Sequence, residues 1–356
     1  MRDQVWKDRT VEYLPWADKS GFAASPGTPR LNAPCAAWSK EISFIGVCLF
    51  QPAFRLPSFP SKQYPNKDKM LPEYPASVAI SLELRDLLQP FFLNVASGVS
   101  EHTFANIYLF RHKHGYKLST LDNGLPIILG QDETRRFFML PFGIPGHGML
   151  DRLFRDHEML KCAPAAQAEI LEKQGYSVTE DRDNFDYLHR RQDLATLAGR
   201  KFHKKRNHIK GFTTNFTCET QPLSDLNLAD AMGVLDQWRD HAESEGDYRE
   251  ARDGLEHQKL LDLRGRVYSI NGRPVAYAMG EELSDRKTFV IHFEKADISF
   301  NGLYQFVNQE FAAALPYHIE TINREQDLGE PGLRQAKMSY QPSGFIRKFT
   351  VLAAAR

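Results

Sequence analysis

The chain has 356 residues, of which 42% are hydrophobic and 25% charged, and this length predicts two domains, or two domains and an appendage. The composition excludes a wholly disordered, collagenous or coiled-coil chain. Lysine plus arginine equals aspartate plus glutamate at 45 each, so the whole molecule has no net field that draws in nucleic acid or an anionic membrane. Any electrostatic recognition must therefore be local.

Cysteine usage and apolar runs bear on the cellular compartment. Cys35, Cys48, Cys162 and Cys218 stand far apart with no metal-ligand spacing, which predicts neither a zinc site nor a disulfide framework. The longest apolar run, residues 42–50, is less than half of the roughly 20 residues that a membrane-spanning helix needs. The N-terminus has charges but no apolar signal region. We expect a cytoplasmic protein in a reducing compartment, without a transmembrane segment or a metal.

The beginning of the chain has no regular pattern. Ten of the 20 prolines lie in the first 75 residues, and no helical or strand period runs through them. Residues 1–69 are therefore predicted to be a Pro-rich extension, either a poorly ordered arm or an over-extended gene start. The folded body is expected to begin near Met70. Six apolar residues between positions 82 and 92 recur at helical spacing and predict a helix before Asn94.

Two segments of the chain are similar to each other, residues 116–142 and residues 267–293. In each, an Asn-Gly pair stands between strand-like apolar runs, at Asn123-Gly124 and at Asn271-Gly272. A tight hairpin turn needs positive φ at its central residues, which Asn and Gly tolerate best. Each segment is predicted to form a hairpin followed by a third strand.

A helix pattern and a short strand follow each hairpin. They are residues 149–160 and 176–180 after the first hairpin, and residues 302–315 and 318–323 after the second. Polar quartets, residues 181–184 and 323–326, are expected to end corresponding strands. This order is the pattern of the GNAT acyltransferase fold. The sequence predicts an α/β (α+β) protein with two tandem GNAT-like domains with mixed sheets, residues 70–190 and 191–356, the second being catalytic.

Five blocks of sequence carry a resemblance to a known family. They are SEHTFANIYLFR (100–111), DRDNFDYLH (181–189), LAGRKFHKKRNHIKGF (197–212), HFEKAD (292–297) and NREQDLGEPGLRQAKMSYQP (323–342). In this order they resemble the uncharacterised bacterial proteins related to the C-terminal domain of phosphatidylglycerol lysyltransferases. The resemblance implies a tandem GNAT-like (acyl-CoA N-acyltransferase-like) fold. It places the chain near enzymes that move an aminoacyl group from a charged tRNA to a lipid or peptide.

One segment is strongly basic, because residues 187–212 contain eight Lys/Arg against one acid. Its apolar spacing predicts one face on the core and basic side chains directed outward. The candidate phosphate-binding residues are Arg200, Lys201, Lys204, Lys205 and Arg206. Such a stripe suits RNA or a polyphosphate, whose phosphates position the ligand and supply salt-dependent affinity. The alternative is a solvated helix that pairs with the acidic residues of segment 236–256.

The HFEKAD block indicates a catalytic cleft. In GNAT-like folds the fourth and fifth strands splay apart, so Glu294 and Lys295 are expected to face Asn323, Arg324 and Glu325 across the opening. Acyl transfer needs a base for the nucleophile's proton and donors for the developing oxyanion. Glu294 or Glu325 is the candidate base, and Lys295, Asn323 or Arg324 is the candidate donor. The alternative is an interstrand salt-bridge network.

Residues 328–342 are predicted to contain a short helix with Pro331 in its first turn. Arg334 and Lys337 lie three residues apart on one face of that helix and are further phosphate-binding candidates. Tyr340 follows the helix. In many GNAT enzymes a tyrosine near this position protonates the leaving group, so Tyr340 is the candidate acid; the alternative is a core tyrosine.

The acetyl-CoA loop of GNAT enzymes should lie between the fourth strand and the next helix. Residues 297–302 offer a single glycine, Gly302, which argues against acetyl-CoA in the second domain. In the first domain, Gly143, Gly146 and Gly148 form a glycine run that fits either a phosphate contact or an ordinary turn.

Three functions stay open at this point. The first is an acyl or aminoacyl transferase that uses an aminoacyl-tRNA or other activated acyl donor and a small-molecule, peptide or lipid-headgroup acceptor. The second is an acyl-CoA-dependent N-acyltransferase. The third is a non-catalytic protein that binds an anionic ligand. In the first two, aminoacyl-tRNA or acyl-CoA is a donor substrate, and no resident cofactor is firmly implied.

Overall fold

Two seven-stranded mixed sheets organise the chain in the computed structural model, which describes residues 71–241 and 246–353. The strands are β1 (Val78–Ala79), β2 (Lys117–Thr120), β3 (Pro126–Asp132), β4 (Arg135–Met139), β5 (Met159–Pro164), β6 (Ser177–Glu180), β7 (Asp186–Arg190), β8 (Cys218–Pro222), β9 (Arg264–Ile270), β10 (Arg273–Glu282), β11 (Thr288–Ala296), β12 (Thr321–Asn323), β13 (Gly344–Ile346) and β14 (Lys348–Leu352). The helices are α1 (Arg85–Phe92), α2 (Phe104–Leu109), α3 (His147–Asp156), α4 (Ala165–Lys173), α5 (Arg191–Thr196), α6 (His203–Asn215), α7 (Leu228–His241), α8 (Tyr248–Glu256), α9 (Leu303–Ala314) and α10 (Pro331–Met338).

The predicted N-terminal extension, residues 1–69, lies outside the described residues, as do Cys35 and Cys48. Of the other two cysteines, Cys162 is buried and Cys218 half-buried, and both are free thiols. Among the described residues, no helix is both long and apolar enough to cross a membrane.

Both predicted hairpins are present. Antiparallel β2, β3 and β4 form the first, and antiparallel β9, β10 and β11 form the second. The turns use the expected residues in left-handed conformations, with φ of +79° at Gly124, +50° at Asn271 and +74° at Gly272. In each half a parallel strand then joins the sheet beyond a helix, β5 next to β4 and β12 next to β11. The predicted tandem GNAT-like fold with mixed sheets is confirmed.

The two sheets exchange one strand each. The first sheet has the order β1-β2-β3-β4-β5-β14-β6, so the last strand of the described chain lies between β5 and β6. The second has the order β13-β7-β12-β11-β10-β9-β8, so β7 lies among strands that follow it by more than a hundred residues. The division of the chain at residue 190 stays a prediction, and each sheet contains a strand from the other side of that division.

The sequence patterns miss one strand and one helix of the first half. The helix predicted for residues 149–160 ends at Asp156, and β5 and α4 follow before β6. β5 is mostly buried on both faces, so its apolar run continued the helical pattern instead of alternating. Consequently the two polar quartets do not end corresponding strands. β12 adjoins β11, whereas β6 pairs only with β14 at the edge of its sheet.

Helices cover both faces of each sheet. α1, α2, α7 and α8 fill the layer between the two sheets, in a core that includes Leu88, Ile107 and Leu235 and is continuous with Phe137 of the first sheet and Met279 of the second. α3 and α4 cover the outer face of the first sheet, and α5, α6 and α9 cover the outer face of the second. A shared apolar layer of this kind makes the two sheets one packing unit.

A fully buried lysine sits where the exchanged strands begin. The ammonium group of Lys348, the first residue of β14, donates to Asp186 Oδ1 at 2.6 Å and to the carboxylate of Glu101. Asp186 is the first residue of β7 and also accepts from Ser100 Oγ at 2.9 Å and from Asn323 Nδ2 at 3.1 Å. Burial alone would lower the pKa of Lys348, but the two carboxylates raise it, so the lysine stays charged.

Replacing Lys348 with methionine keeps the length of the side chain but leaves Asp186 and Glu101 buried without a cation. Removal of one partner from a buried ion pair costs about 3–5 kcal/mol, so we expect the free energy of unfolding in urea to fall by that amount. Arg347, the next residue toward the N-terminus, pairs with Glu180 at the surface, and Arg347→Met should cost less than about 1 kcal/mol. Equal effects of the two substitutions would contradict the role of Lys348.

Candidate active site

β11 and β12 are joined along only part of their length. They pair from Thr288↔Thr321 to Val290↔Asn323, after which β12 ends while β11 continues to Ala296. The sheet therefore opens at the carboxyl ends of two parallel strands, the place where open α/β sheets usually bind ligands.

A β-bulge re-aims the side chains of β11 at this opening. Met279 of β10 pairs with Phe293 and Gly280 pairs with Ile291, so His292 is the extra residue between them. A Cβ on Gly280 would lie 1.8 Å from the carbonyl oxygen of Val290, so the close approach of the two strands requires glycine. Bulges of this kind occur next to active sites, where they direct a side chain away from the regular alternation.

His292 lies between two carboxylates in what we call the histidine cluster (Glu281, His292 and Glu325). Its Nδ1 is 2.8 Å from Glu325 Oε1 and its Nε2 is 3.0 Å from Glu281 Oε1. Burial would lower the pKa of the imidazole, but hydrogen bonds to the two carboxylates raise it to about 10. Burial also raises the pKa of Glu325, against the opposing effect of His292. The ring is therefore a charged imidazolium that donates one N–H to each of the two carboxylates.

Glu325 is held in an uncommon backbone conformation. Its φ is +54°, and its backbone N–H donates to Asn323 Oδ1 at 2.8 Å. Non-glycine residues in the left-handed region cluster at functional sites, where the surrounding structure holds them in place. The end of β12 therefore positions the carboxylate of Glu325 at the opening.

A second group of polar residues, the arginine cluster, comprises Glu294, Arg324, Tyr340 and Lys205. Arg324 Nη2 donates to Glu294 Oε2 at 3.3 Å, and its guanidinium lies 5.1 Å from the centre of the Tyr340 ring. The ammonium of Lys205 lies 4.0 Å from the centre of the same ring, and burial together with Arg324 lowers the pKa of Lys205 to about 8. Burial raises the pKa of the Tyr340 hydroxyl, which keeps it protonated and able to donate.

Two of the predicted cleft residues are used elsewhere. Lys295 points to the opposite face of β11, where it donates to Asp247 Oδ1 at 2.5 Å and lies 3.6 Å from the centre of the Trp238 ring. The side chain of Asn323 is fully buried and donates to Asp186, so it stabilises the end of β12 at the opening. The structure thus brings Glu294 together with Arg324 but not with Lys295.

The helix predicted around Pro331 is present, and Pro331 is the first residue of α10. The two cations of this helix, Arg334 and Lys337, have partners within the chain. Arg334 donates to both oxygens of Asp327, at 2.7 and 2.9 Å, and to Asp183 Oδ1 at 2.6 Å. Lys337 donates to the carbonyl of Arg324 at 2.6 Å and to that of Gln326. These bonds stabilise the loop after β12 and engage both side chains within the chain.

The basic segment, residues 200–206, presents fewer free cations than its sequence suggests. Arg200 and Lys204 are exposed, and Lys201 pairs with Asp193 at 3.0 Å within the same region. Arg206 donates to two backbone carbonyls in the turn before α6, one of them at 2.7 Å. The longer basic stretch, residues 187–212, is also not one continuous helix, because residues 197–202 separate α5 from α6. Arg200 and Lys204 are therefore its most accessible phosphate-binding candidates.

His292 and Glu281 were not among the residues singled out from the sequence. His292 was visible inside HFEKAD, but regular alternation along β11 gave no reason to expect its side chain beside Glu325. The bulge that brings them together depends on Gly280, and a glycine within a strand pattern is the one signal that indicated it.

The loop that would bind acetyl-CoA in the second half is covered by α6. Gly302, the residue before α9, has φ of +92°, and a Cβ at that position would lie 2.4 Å from the carbonyl oxygen of His208. The backbone of α6 therefore packs directly on the start of α9. In the first half, a Cβ on Gly146 or Gly148 would meet nothing within 4 Å.

Comparison with protein families gives one match that covers most of the chain. The family model "Phosphatidylglycerol lysyltransferase, C-terminal" matches residues 93–352. A curated relative, an uncharacterized protein of Mycoplasmoides gallisepticum, is 22% identical over 178 residues, or 47% of this chain. The match spans only 55% of that relative's length.

Two solved structures are similar over most of the chain. A conserved protein of unknown function from Bacteroides thetaiotaomicron is 30% identical with a TM-score of 0.71, covering 80% of this chain and all of that one. The L-PGS structure from Bacillus licheniformis has a TM-score of 0.52 at 13% identity, over 81% of this chain and 95% of that one. The second likeness concerns the fold alone.

The histidine cluster predicts a pH dependence of stability. The folded-state pKa of His292, about 10, lies above the ordinary value of 6.5, so its stabilising contribution is complete below pH 6.5 and is lost as the pH rises through 10. We expect His292→Gln to remove this decline, measured as the difference in the free energy of unfolding between variant and parent from pH 6 to 10. His318→Gln changes an exposed histidine that pairs with Glu282 and serves as the control. A constant difference for His292→Gln across this range would contradict a charged imidazole.

Proposed function

We propose that this chain, which belongs to the phosphatidylglycerol lysyltransferase C-terminal family, is an acyltransferase that moves an aminoacyl group from a charged tRNA to a nucleophilic acceptor. The observation that carries the proposal is that β12 ends, where it separates from β11, in two consecutive charged residues, Arg324 beside Tyr340 and Glu325 beside His292. Acyl transfer requires an acid–base group and an oxyanion donor around one carbonyl carbon, and Glu325 and Arg324 are these two kinds of group.

The chemical step assigns one role to each side chain. The acceptor's nucleophilic atom forms a bond to the carbonyl carbon of the aminoacyl ester, and the bond from that carbon to the tRNA oxygen breaks. Glu325 takes the proton that leaves the nucleophile, and the Tyr340 hydroxyl gives a proton to the leaving oxygen. Arg324 stabilises the negative charge on the carbonyl oxygen, and exchange with solvent restores both proton carriers.

Glu325 suits the role of base better than Glu294. Burial raises the pKa of Glu325 toward the working pH, which is where a general base is most effective. Glu294 instead accepts from Arg324 and orients the guanidinium. The third open function, a non-catalytic anion-binding protein, does not account for a strained glutamate beside a charged histidine.

An acyl-CoA donor is the weaker alternative for the second half. In this fold the pyrophosphate of CoA needs the backbone amides at the start of the helix after β11. α6 packs on that helix start at Gly302, whereas Arg200 and Lys204 remain accessible at the beginning of the same α6 region. A donor held by phosphate contacts along an RNA backbone fits this arrangement better.

Changing Glu325 to glutamine preserves its shape but removes the base. We expect the rate of aminoacyl transfer at saturating donor to fall by about 10²- to 10⁴-fold. Glu294→Gln should also slow transfer, because it frees the Arg324 guanidinium. The matched control is Asp183→Asn in the first polar quartet, which loses a bond to Arg334 and should affect transfer only through stability. Loss of activity in a well-folded Asp183→Asn variant, with both glutamine variants active, would mean that the chemistry has been assigned to the wrong residues.

The donor assignment predicts a salt-dependent RNA interaction. The double substitution Arg200→Gln and Lys204→Gln should weaken tRNA binding and reduce the slope of log affinity against log salt by roughly one unit for each lost phosphate contact. Lys173→Gln changes an exposed lysine of α4 and should leave the slope unchanged. An unchanged slope in the double variant would show that the basic segment is not part of the donor site.

A further inference from the structure

A cavity of about 190 Å³ opens beside the histidine cluster, on the face of the second sheet opposite α6. One wall is the segment between α1 and α2 with the start of α2, and the other is the end of β10 and the turn before β11. Phe92 and Phe104 supply apolar surface, and Glu281 lines the cavity while bonding His292 from the cavity side. His292 therefore lies between the cavity-lining Glu281 and Glu325, the proposed base.

His102 lines this cavity with an unsatisfied nitrogen. Its side chain is 3% exposed, its Nδ1 lies 3.0 Å from Ser97 Oγ, and its Nε2 has no hydrogen-bond partner among the described residues. Ser97 Oγ also accepts from the backbone N–H of Val99, and in the tautomer in which its hydroxyl donates to His102 Nδ1, Nε2 carries the N–H. A buried donor without a partner costs free energy, so a ligand that offers an acceptor oxygen there would stabilise the site.

The charges around the cavity are mostly negative. Glu281, Glu282 and Asp285 contribute three carboxylates, of which Glu282 pairs with Arg264, Arg286 and His318. Among the described residues that line the cavity, the only cation is Arg286, whose side chain is 83% exposed. The cation His292 lies behind Glu281. An ammonium group is the ligand that such a wall favours, whereas a phosphate-bearing headgroup would meet like charge.

We propose that this cavity binds the acceptor, and that the acceptor is a small primary amine whose ammonium group contacts Glu281 and whose neighbouring oxygen accepts from His102. The inference rests on the proposed function. In the reaction, the nitrogen loses two protons, one of which reaches the leaving tRNA oxygen and the other solvent. The carbon–nitrogen bond forms as the ester carbon–oxygen bond breaks, and the product is an amide.

Binding can be measured without any donor. Ethanolamine carries an ammonium group and an oxygen two carbons apart, ethylene glycol lacks the charge, and glycerol 1-phosphate carries a negative charge instead. We expect isothermal titration calorimetry to detect ethanolamine and neither of the other two. Glu281→Gln should weaken ethanolamine binding by about tenfold or more, because it removes a charge-assisted hydrogen bond.

Glu325→Gln is the matched control for Glu281→Gln. Both glutamates bond His292, at 2.8 and 3.0 Å, but only Glu281 lines the cavity. Binding that is retained in Glu325→Gln and lost in Glu281→Gln supports direct contact. Equal losses in the two variants would show that Glu281 acts only through His292 and would overturn the proposal. His102→Phe should also weaken ethanolamine binding while the protein still unfolds cooperatively.

Transfer assays separate this inference from the function on which it rests. Binding of ethanolamine without aminoacyl transfer to any acceptor would refute the proposed function but leave the ammonium site standing. Transfer to a hydroxyl acceptor by a protein that does not bind ethanolamine would refute the inference alone. Competition of ethanolamine with the charged tRNA, without formation of the amide, would show that the cavity holds the donor's own amino group and would overturn its assignment to the acceptor.

Discussion

The ion pair of Lys348 and Asp186 is the constraint on which the site depends. It joins the first residues of the two exchanged strands in a fully buried position, so neither sheet can move independently of the other. Asp186 also accepts from Asn323, whose side-chain oxygen in turn accepts the backbone N–H of Glu325. A lysine near the C-terminus of the chain therefore determines where the proposed base lies, through three successive hydrogen-bonded contacts.

The second constraint is the bulge at His292. It places the charged side chains of His292 and Glu294, which have opposite signs, on opposite sides of β11. Beyond it, Glu294 faces α9 and the arginine cluster, whereas His292 bonds Glu281, which lines the acidic cavity. In a buried region such a separation sustains strong local fields although the whole chain has no net charge. A chain with no net charge can therefore contain a site that interacts with anions and cations differently at its two ends.

Short sequence patterns predicted the turns and helix starts whose conformation depends on one or two residues. Asn271-Gly272 predicted the turn because few other pairs tolerate its conformation, and Pro331 predicted the start of α10 because its fixed φ suits that position. The partners of Arg334 and Lys337 could not be predicted, because they depend on a loop folded back by tertiary contacts. The missed strand β5 and the bulged His292 share a cause: both depart from the regular period that sequence reasoning assumes.

The exchange of β7 and β14 has a consequence for the order of assembly during synthesis. The first sheet needs residues 348–352 between β5 and β6, so it stays incomplete on the ribosome until residue 352 has been made. Contacts between residues so distant in sequence close late and slow folding. A protease that removed only β14 would therefore damage the half of the molecule that was synthesised first.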